Sequence, residues 1–289
     1  QVKRAIDSYE QALAISREIG DRREEGSSLG NLGVAYWDLG QSGRAIAYYE
    51  QALTISREIG DRSNEARWLG NLGITHAAQG QTKRAIEFYR LALAIDRDIG
   101  NRRGEGVDLD NLGVAFEKSG QTSRAIEFYE QALAISQEIG DRRGEEHRLG
   151  NLGNAFLDLG RPERAIDHYE QALAIAREIN DRRGETNALG SLGNAYADLG
   201  QLGQAINCHE RALVIAREIG DRHGEAKLCW NLGLHYHQAG GLRHAAEVMG
   251  VCVNYEREIG HPDAEADAEE VAAIRRQIEE AEGEESQDV

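Results

Sequence analysis

The sequence predicts an all-α protein, a solenoid of antiparallel helix pairs wound as a right-handed superhelix. Three observations predict it. First, the 289-residue chain repeats every 40 residues: RAIDSYEQALAISREIGDR at 4 returns as RAIAYYEQALTISREIGDR at 44, RAIEFYRLALAIDRDIGNR at 84, RAIEFYEQALAISQEIGDR at 124, RAIDHYEQALAIAREINDR at 164 and QAINCHERALVIAREIGDR at 204. A fixed period of this length marks a solenoid. Second, Leu29, Leu32, Gly33 and Tyr36 fall on one helical stripe of a unit, and Ala45, Tyr49 and Ala52 on another. Third, the chain holds only two prolines, and glycines stand at fixed breaks between the stripes.

The elements follow in order. Residues 1–20 carry only a second helix, so the chain begins mid-repeat and reads as cut from a longer protein; the unpaired half-repeat is a candidate surface for self-association. Residues 21–260 are six full units. In each, a glycine (Gly40, Gly80, Gly120, Gly160, Gly200, Gly240) ends the first helix, where a left-handed residue is wanted, and Pro162 stands where a second helix begins. Gly60 and Asp61 end the second helix and cap the next, because an aspartate oxygen accepts from the free N–H groups of a helix start. Residues 261–282 are read as a capping helix, with Val271, Ile274 and Ile278 as its apolar stripe, and 283–289 as an acidic disordered tail.

Composition narrows the function classes. The net charge of −17 argues against nucleic acid, whose phosphates need clustered Lys and Arg. Residues 263–289 hold eleven Asp and Glu against two Arg, over half of that imbalance. No apolar run is long enough for a membrane span and no signal peptide is recognisable, so a cytoplasmic location is expected. Cys208, Cys229 and Cys252 are odd in number and lack metal-type spacing, and are read as reduced core thiols.

The pattern L-x2-L-G-x2-Y followed by A-x3-Y-x2-A resembles the tetratricopeptide repeat (TPR), lengthened by six residues around the REIGDR turn. The resemblance covers Arg4 to about Ile259, and the 40-residue form is most similar to repeats of Pins/LGN-type adaptors, kinesin light chains and bacterial regulatory proteins. It implies a TPR solenoid whose first helices line a concave groove. The G-protein-binding motifs of Pins/LGN-type adaptors are not found, and the evenness of the repeats points to a bacterial array.

Two sets of glycines then separate. Gly33, Gly73, Gly113, Gly153, Gly193 and Gly233 stand where the family requires a small residue for close helix approach. Gly30, Gly70, Gly150 and Gly190 lie on the neighbouring stripe, which lines the groove in the family. They are either ancestral residues shared by duplication or gaps that let a ligand backbone approach. Beside them recur Asn31, Asn71, Asn111, Asn151 and Asn231, with Ser191 the exception, and Asn154 and Asn194 join one turn on. Amides both donate and accept, so such a ladder either bridges helices or pairs with an extended chain of any sequence; groove asparagines in related arrays favour the second. Arg67, Lys118, Asp158 and Asp198 are expected to set side-chain selectivity, with Trp37 and Trp230 as aromatic anchors or packing residues. The lysine of the family's carboxylate-clamp type is replaced by glycine, which argues against a chaperone-tail receptor.

No P-loop, zinc-protease, acyl-hydrolase or calcium motif occurs, so no enzyme, cofactor or metal is expected. His235, His237 and His244 are poorly spaced for shared coordination. The Asp and Glu alternating with Arg along REIGDRR are read as a solvated, salt-bridged face. Two functions remain: a non-enzymatic interaction scaffold that holds an extended segment of a partner protein in its groove, and the sensor or regulatory segment of a larger signalling protein.

Overall fold

The computed structural model describes residues 2–285, and the described residues form fourteen helices with no strand. They fall into two compact units. The first holds α1 (Val2–Ile19), α2 (Arg22–Asp38), α3 (Ser42–Glu58), α4 (Arg62–Ala78), α5 (Thr82–Asp98), α6 (Arg102–Lys118) and α7 (Thr122–Ile139). The second holds α8 (Arg142–Asp158), α9 (Pro162–Glu178), α10 (Arg182–Asp198), α11 (Leu202–Glu218), α12 (Arg222–Gln238), α13 (Leu242–Ile259) and α14 (Ala264–Glu285).

Local chemistry sets the helix ends. The side chains of Asp21, Asp61, Asn101, Asp181 and Asp221 each accept from the backbone N–H three residues on, satisfying a donor that the helix start leaves open. Gly40 and Gly60 both take φ 70, a left-handed conformation that reverses the chain without a Cβ clash. Asn180 stands at φ 55 in the same role, as asparagine tolerates.

Each helix pair closes on a glycine and a ring. A Cβ on Gly33 would stand 2.5 Å from the Tyr49 ring, and on Gly73, Gly113 or Gly153 it would stand 2.4 Å from Tyr89, Tyr129 or Tyr169. The last two pairs use other fillers, His209 against Gly193 and Met249 against Gly233. The close-approach role of these glycines therefore holds in all six pairs.

The charged turn is not a solvated face. Glu25, Glu65, Glu105, Glu145 and Glu185 are buried. Glu65 accepts from Arg57 Nε at 2.9 Å and from Arg62 Nη1 at 2.6 Å, and Glu185 in the same way from Arg177 at 2.8 Å and Arg182 at 2.7 Å. Arg182 also reaches Glu218, and Arg102 reaches Glu138. The motif is a clamp across the turn between consecutive repeats: two guanidinium groups satisfy Glu25, Glu65, Glu105 and Glu185, whereas Glu145 has Arg142 and, in place of the other arginine, the sequence has Gln137.

At the end of the second unit, Val271 and Ile274 of α14 pack on Ala245, Met249 and Val253 of α13, with Ile278 beside them. The helix runs to Glu285, so residues 283–285 are helical where a disordered tail was expected; residues 286–289 lie outside the described residues. The three cysteines are buried free thiols. Among the described residues no helix is long and apolar enough to cross a membrane, and no three His, Cys, Asp or Glu are grouped to hold a metal. His235 instead packs beside His209, and His244 beside Tyr236.

Candidate functional site

In the second unit, the first helices of three successive pairs, α8, α10 and α12, bring a set of amides around one cavity of about 450 Å³. Asn151 and Asn154 come from α8, Asn187, Ser191 and Asn194 from α10, and Asn231 from α12. The cavity exists because two positions carry too little side chain to fill it. A Cβ on Gly150 would meet nothing within 4 Å, and the residue at the packing position of the following repeat is only Ala188. One repeat later the same position is Leu228, whose Cδ2 stands 3.3 Å from a Cβ on Gly190. Asn154 and Asn194 are local to this region too, since the other units have Val34, Ile74, Val114 and Leu234 there.

The amides are partly engaged with their neighbours. Tyr169 Oη donates to Asn154 Oδ1 at 2.6 Å, Asn231 Nδ2 donates to Asn194 Oδ1 at 3.4 Å, and Asn151 Nδ2 approaches His147 Nδ1 at 3.5 Å. These contacts orient the ladder, and each amide carries more donor and acceptor capacity than one bond uses. The wall is charged: Glu146, Asp221 and Lys227 line it. Burial, and then the nearby Asp181, push the Glu146 carboxyl above its ordinary range.

Of the residues expected from sequence to contact a ligand, Asn151, Asn154, Asn194 and Asn231 meet in this cavity. Arg67, Asn71 and Asn111 line a separate cavity of about 330 Å³ within the first unit, between α4, α5 and α6. Asn31 is half-buried on α2 and lines neither. Trp37 is half-buried and packs against the core of the first unit, and Lys118 is exposed at the end of α6. Asp158 and Asp198 are exposed at the ends of α8 and α10, outside the 450 Å³ cavity. Trp230 packs on the α13–α14 cluster and walls a third cavity, about 220 Å³, with Cys252 and Tyr255.

The groove glycines are not alike. Gly30 leaves no room for a ligand, because the ring of Trp68 lies 2.2 Å from where its Cβ would stand, and Trp68 is fully buried there. Sequence reasoning missed Asn187, Glu146 and Tyr169. Asn187 shares the helical register of Arg67 and Lys227, which was the signal available; Tyr169 reads from sequence as core only.

The tetratricopeptide-repeat family model matches residues 1–58, 44–98, 105–178 and 184–252. No curated protein matches the sequence. Among solved structures, BtubC (BKLC) from P. vanneervenii is 23% identical, with 76% of this chain and 92% of that chain covered and a TM-score of 0.69. A Signal Transduction ATPase with Numerous Domains (STAND) protein with a tetratricopeptide repeat sensor, from Pyrococcus horikoshii, is 19% identical over 92% of this chain and 41% of its own, with a TM-score of 0.75. A Rap protein solved with competence and sporulation factor is 17% identical over 89% of this chain and 76% of its own, with a TM-score of 0.62.

Proposed function

This chain belongs to the tetratricopeptide-repeat family, and from that premise we propose that it is a non-enzymatic interaction scaffold holding an extended segment of a partner protein against α8, α10 and α12. The observation that carries the reading is the cluster of Asn151, Asn154, Asn187, Ser191, Asn194 and Asn231 around the open space over Gly150. A backbone lying there finds both donors and acceptors, with no demand on its sequence. Glu146 and Lys227 then bias which side chains flank it. The net charge of −17 favours a protein guest over nucleic acid. A Rap protein solved with its factor supplies a parallel within the fold.

The test begins with partners recovered by affinity capture and the bound peptide mapped to a segment. Gly150→Gln places a side chain in the open space, so it is expected to weaken that peptide at least ten-fold by calorimetry while leaving the melting temperature the same or slightly raised, since glutamine favours the helix over glycine. Asn151→Ala with Asn187→Ala removes two amide contacts of about 0.5 to 1.5 kcal/mol each, a roughly five- to hundred-fold loss if they add. Full affinity in Gly150→Gln overturns the reading. The likeness to a STAND repeat sensor favours a second reading, in which the same array senses a ligand for a larger signalling protein.

A further inference from the structure

The first unit contains a second cavity with a different chemistry. In one repeat, Trp68 of α4 fills the space over Gly30. In the next, Gly70 is retained but the filler is Asp108 of α6, whose Oδ1 stands 3.7 Å from where a Gly70 Cβ would be. The space an indole would take is left as the 330 Å³ cavity, with a carboxylate in its wall. Asp108 is only 4% exposed, and its Oδ2 accepts no hydrogen bond.

A second carboxylate lines the same cavity. Asp96 of α5 is 5% exposed and stands where five other units have Ser16, Ser56, Ser136, Ala176 and Ala216 and the last has Glu256. Its Oδ1 accepts from Asn101 Nδ2 at 3.0 Å, and its Oδ2 occupies the place of a Cβ on Gly104. Both departures from the repeat thus put acid into one cavity, and one acid is left without a donor. An unpaired buried carboxylate is costly, and the cost falls when a cation with N–H groups arrives.

We propose that this cavity is a binding site for a cationic head group, an ammonium or guanidinium, held by Asp108 and Asp96. The head group comes either from a lysine or arginine of a bound protein segment, a source that rests on the scaffold reading above, or from a free small amine, which does not. Burial, and then the charge of Asp96, push the Asp108 carboxyl up to about 8. The groups facing it are Asp96 and Tyr89 from α5, Arg67 from α4 and Arg103 on α6. Below that value the site is largely protonated without its guest, so binding releases a proton and tightens as pH rises from 6.5 to 8.5.

The full chain is titrated calorimetrically with agmatine and with a set of eight-residue peptides carrying arginine, or its uncharged isostere citrulline, at the centre. Saturable agmatine binding, strengthened roughly ten-fold between pH 6.5 and 8.5 and weakened at least ten-fold in Asp108→Asn, supports the site with a free amine as guest. Preference for arginine over citrulline peptides, lost in Asp108→Asn while agmatine alone does not bind, supports it with a partner side chain as guest. Asp108→Leu, which copies Leu228 over Gly190, is expected to fill the cavity, fold at least as stably and abolish binding. If neither probe distinguishes the native chain from Asp108→Asn or Asp108→Leu, the proposal is overturned. Gly150→Gln separates the two sites, because it should block the groove peptide and leave agmatine binding unchanged.

Discussion

A single methyl group is expected to have opposite effects at two glycines that sit in identical LGNLG segments. At Gly30 it would drive into the Trp68 ring, which is fully buried and has nowhere to move. Gly30→Ala should therefore lower stability by about 1 to 3 kcal/mol, the usual cost of overpacking. At Gly150 it would enter open space, so Gly150→Ala should raise stability by about 0.5 to 1 kcal/mol through helix propensity alone. Urea denaturation of the two variants checks this, and a shift of the same sign in both would refute the assignment. The difference could not be read locally, because it is decided by the residue that the following repeat supplies, Trp68 in one case and Ala188 in the other. By contrast, the role of Gly33 was legible: its ring partner, Tyr49, lies in the same unit and recurs with it.

The turn between repeats is held by a buried glutamate and two arginines, and its pH response follows from that geometry. Burial by itself would raise the Glu185 carboxyl, but hydrogen bonds and charge from Arg177 and Arg182 more than reverse it and hold it below its ordinary 4.5. A carboxyl lowered in the folded state contributes stability that is present above the unfolded value and lost as pH falls through the folded one. Glu185→Gln should thus cost about 1 kcal/mol at pH 7, a modest figure because both arginines are nearly half exposed and screened. Denaturation at pH 7 and again near pH 3 is the check, with the deficit expected to vanish at the lower pH. A deficit of equal size at both would assign the loss to packing instead. The helices, caps and period were plain in the sequence. This clamp was not, because an arginine and glutamate eight residues apart across a turn look like alternating surface charge until the turn is folded.

Across the whole molecule, repetition sets the fold and departures from repetition set the chemistry. Asn154 and Asn194 stand where other units have aliphatic residues, and Asp96 where all but the last, with its Glu256, have serine or alanine. His209 stands where four units have Tyr49, Tyr89, Tyr129 and Tyr169. A family pattern reveals the frame and cannot say whether a departure is tolerated packing or a site, since that depends on whether its polar atoms find partners. For His209 they find one of two. The ring is fully buried, Nδ1 donates to the Ala205 carbonyl oxygen at 3.0 Å, and Nε2 has no partner. Burial first, and then the adjacent His235, push its imidazole down to about 4, well below the ordinary 6.5; Asp198 acts on His235 in the opposite sense. A histidine lowered in this way keeps its full stabilisation above pH 6.5 and loses it as pH falls towards 4, because the unfolded chain takes the proton first. His209→Tyr restores the ring of the first four pairs and removes that proton uptake. Between pH 7 and 4.5 it should lose less stability than the native chain by about 2 kcal/mol, the order expected from the shift over that window. Urea unfolding of both chains at the two pH values measures the difference, and parallel losses would show that His209 accepts its proton as readily when folded as when unfolded.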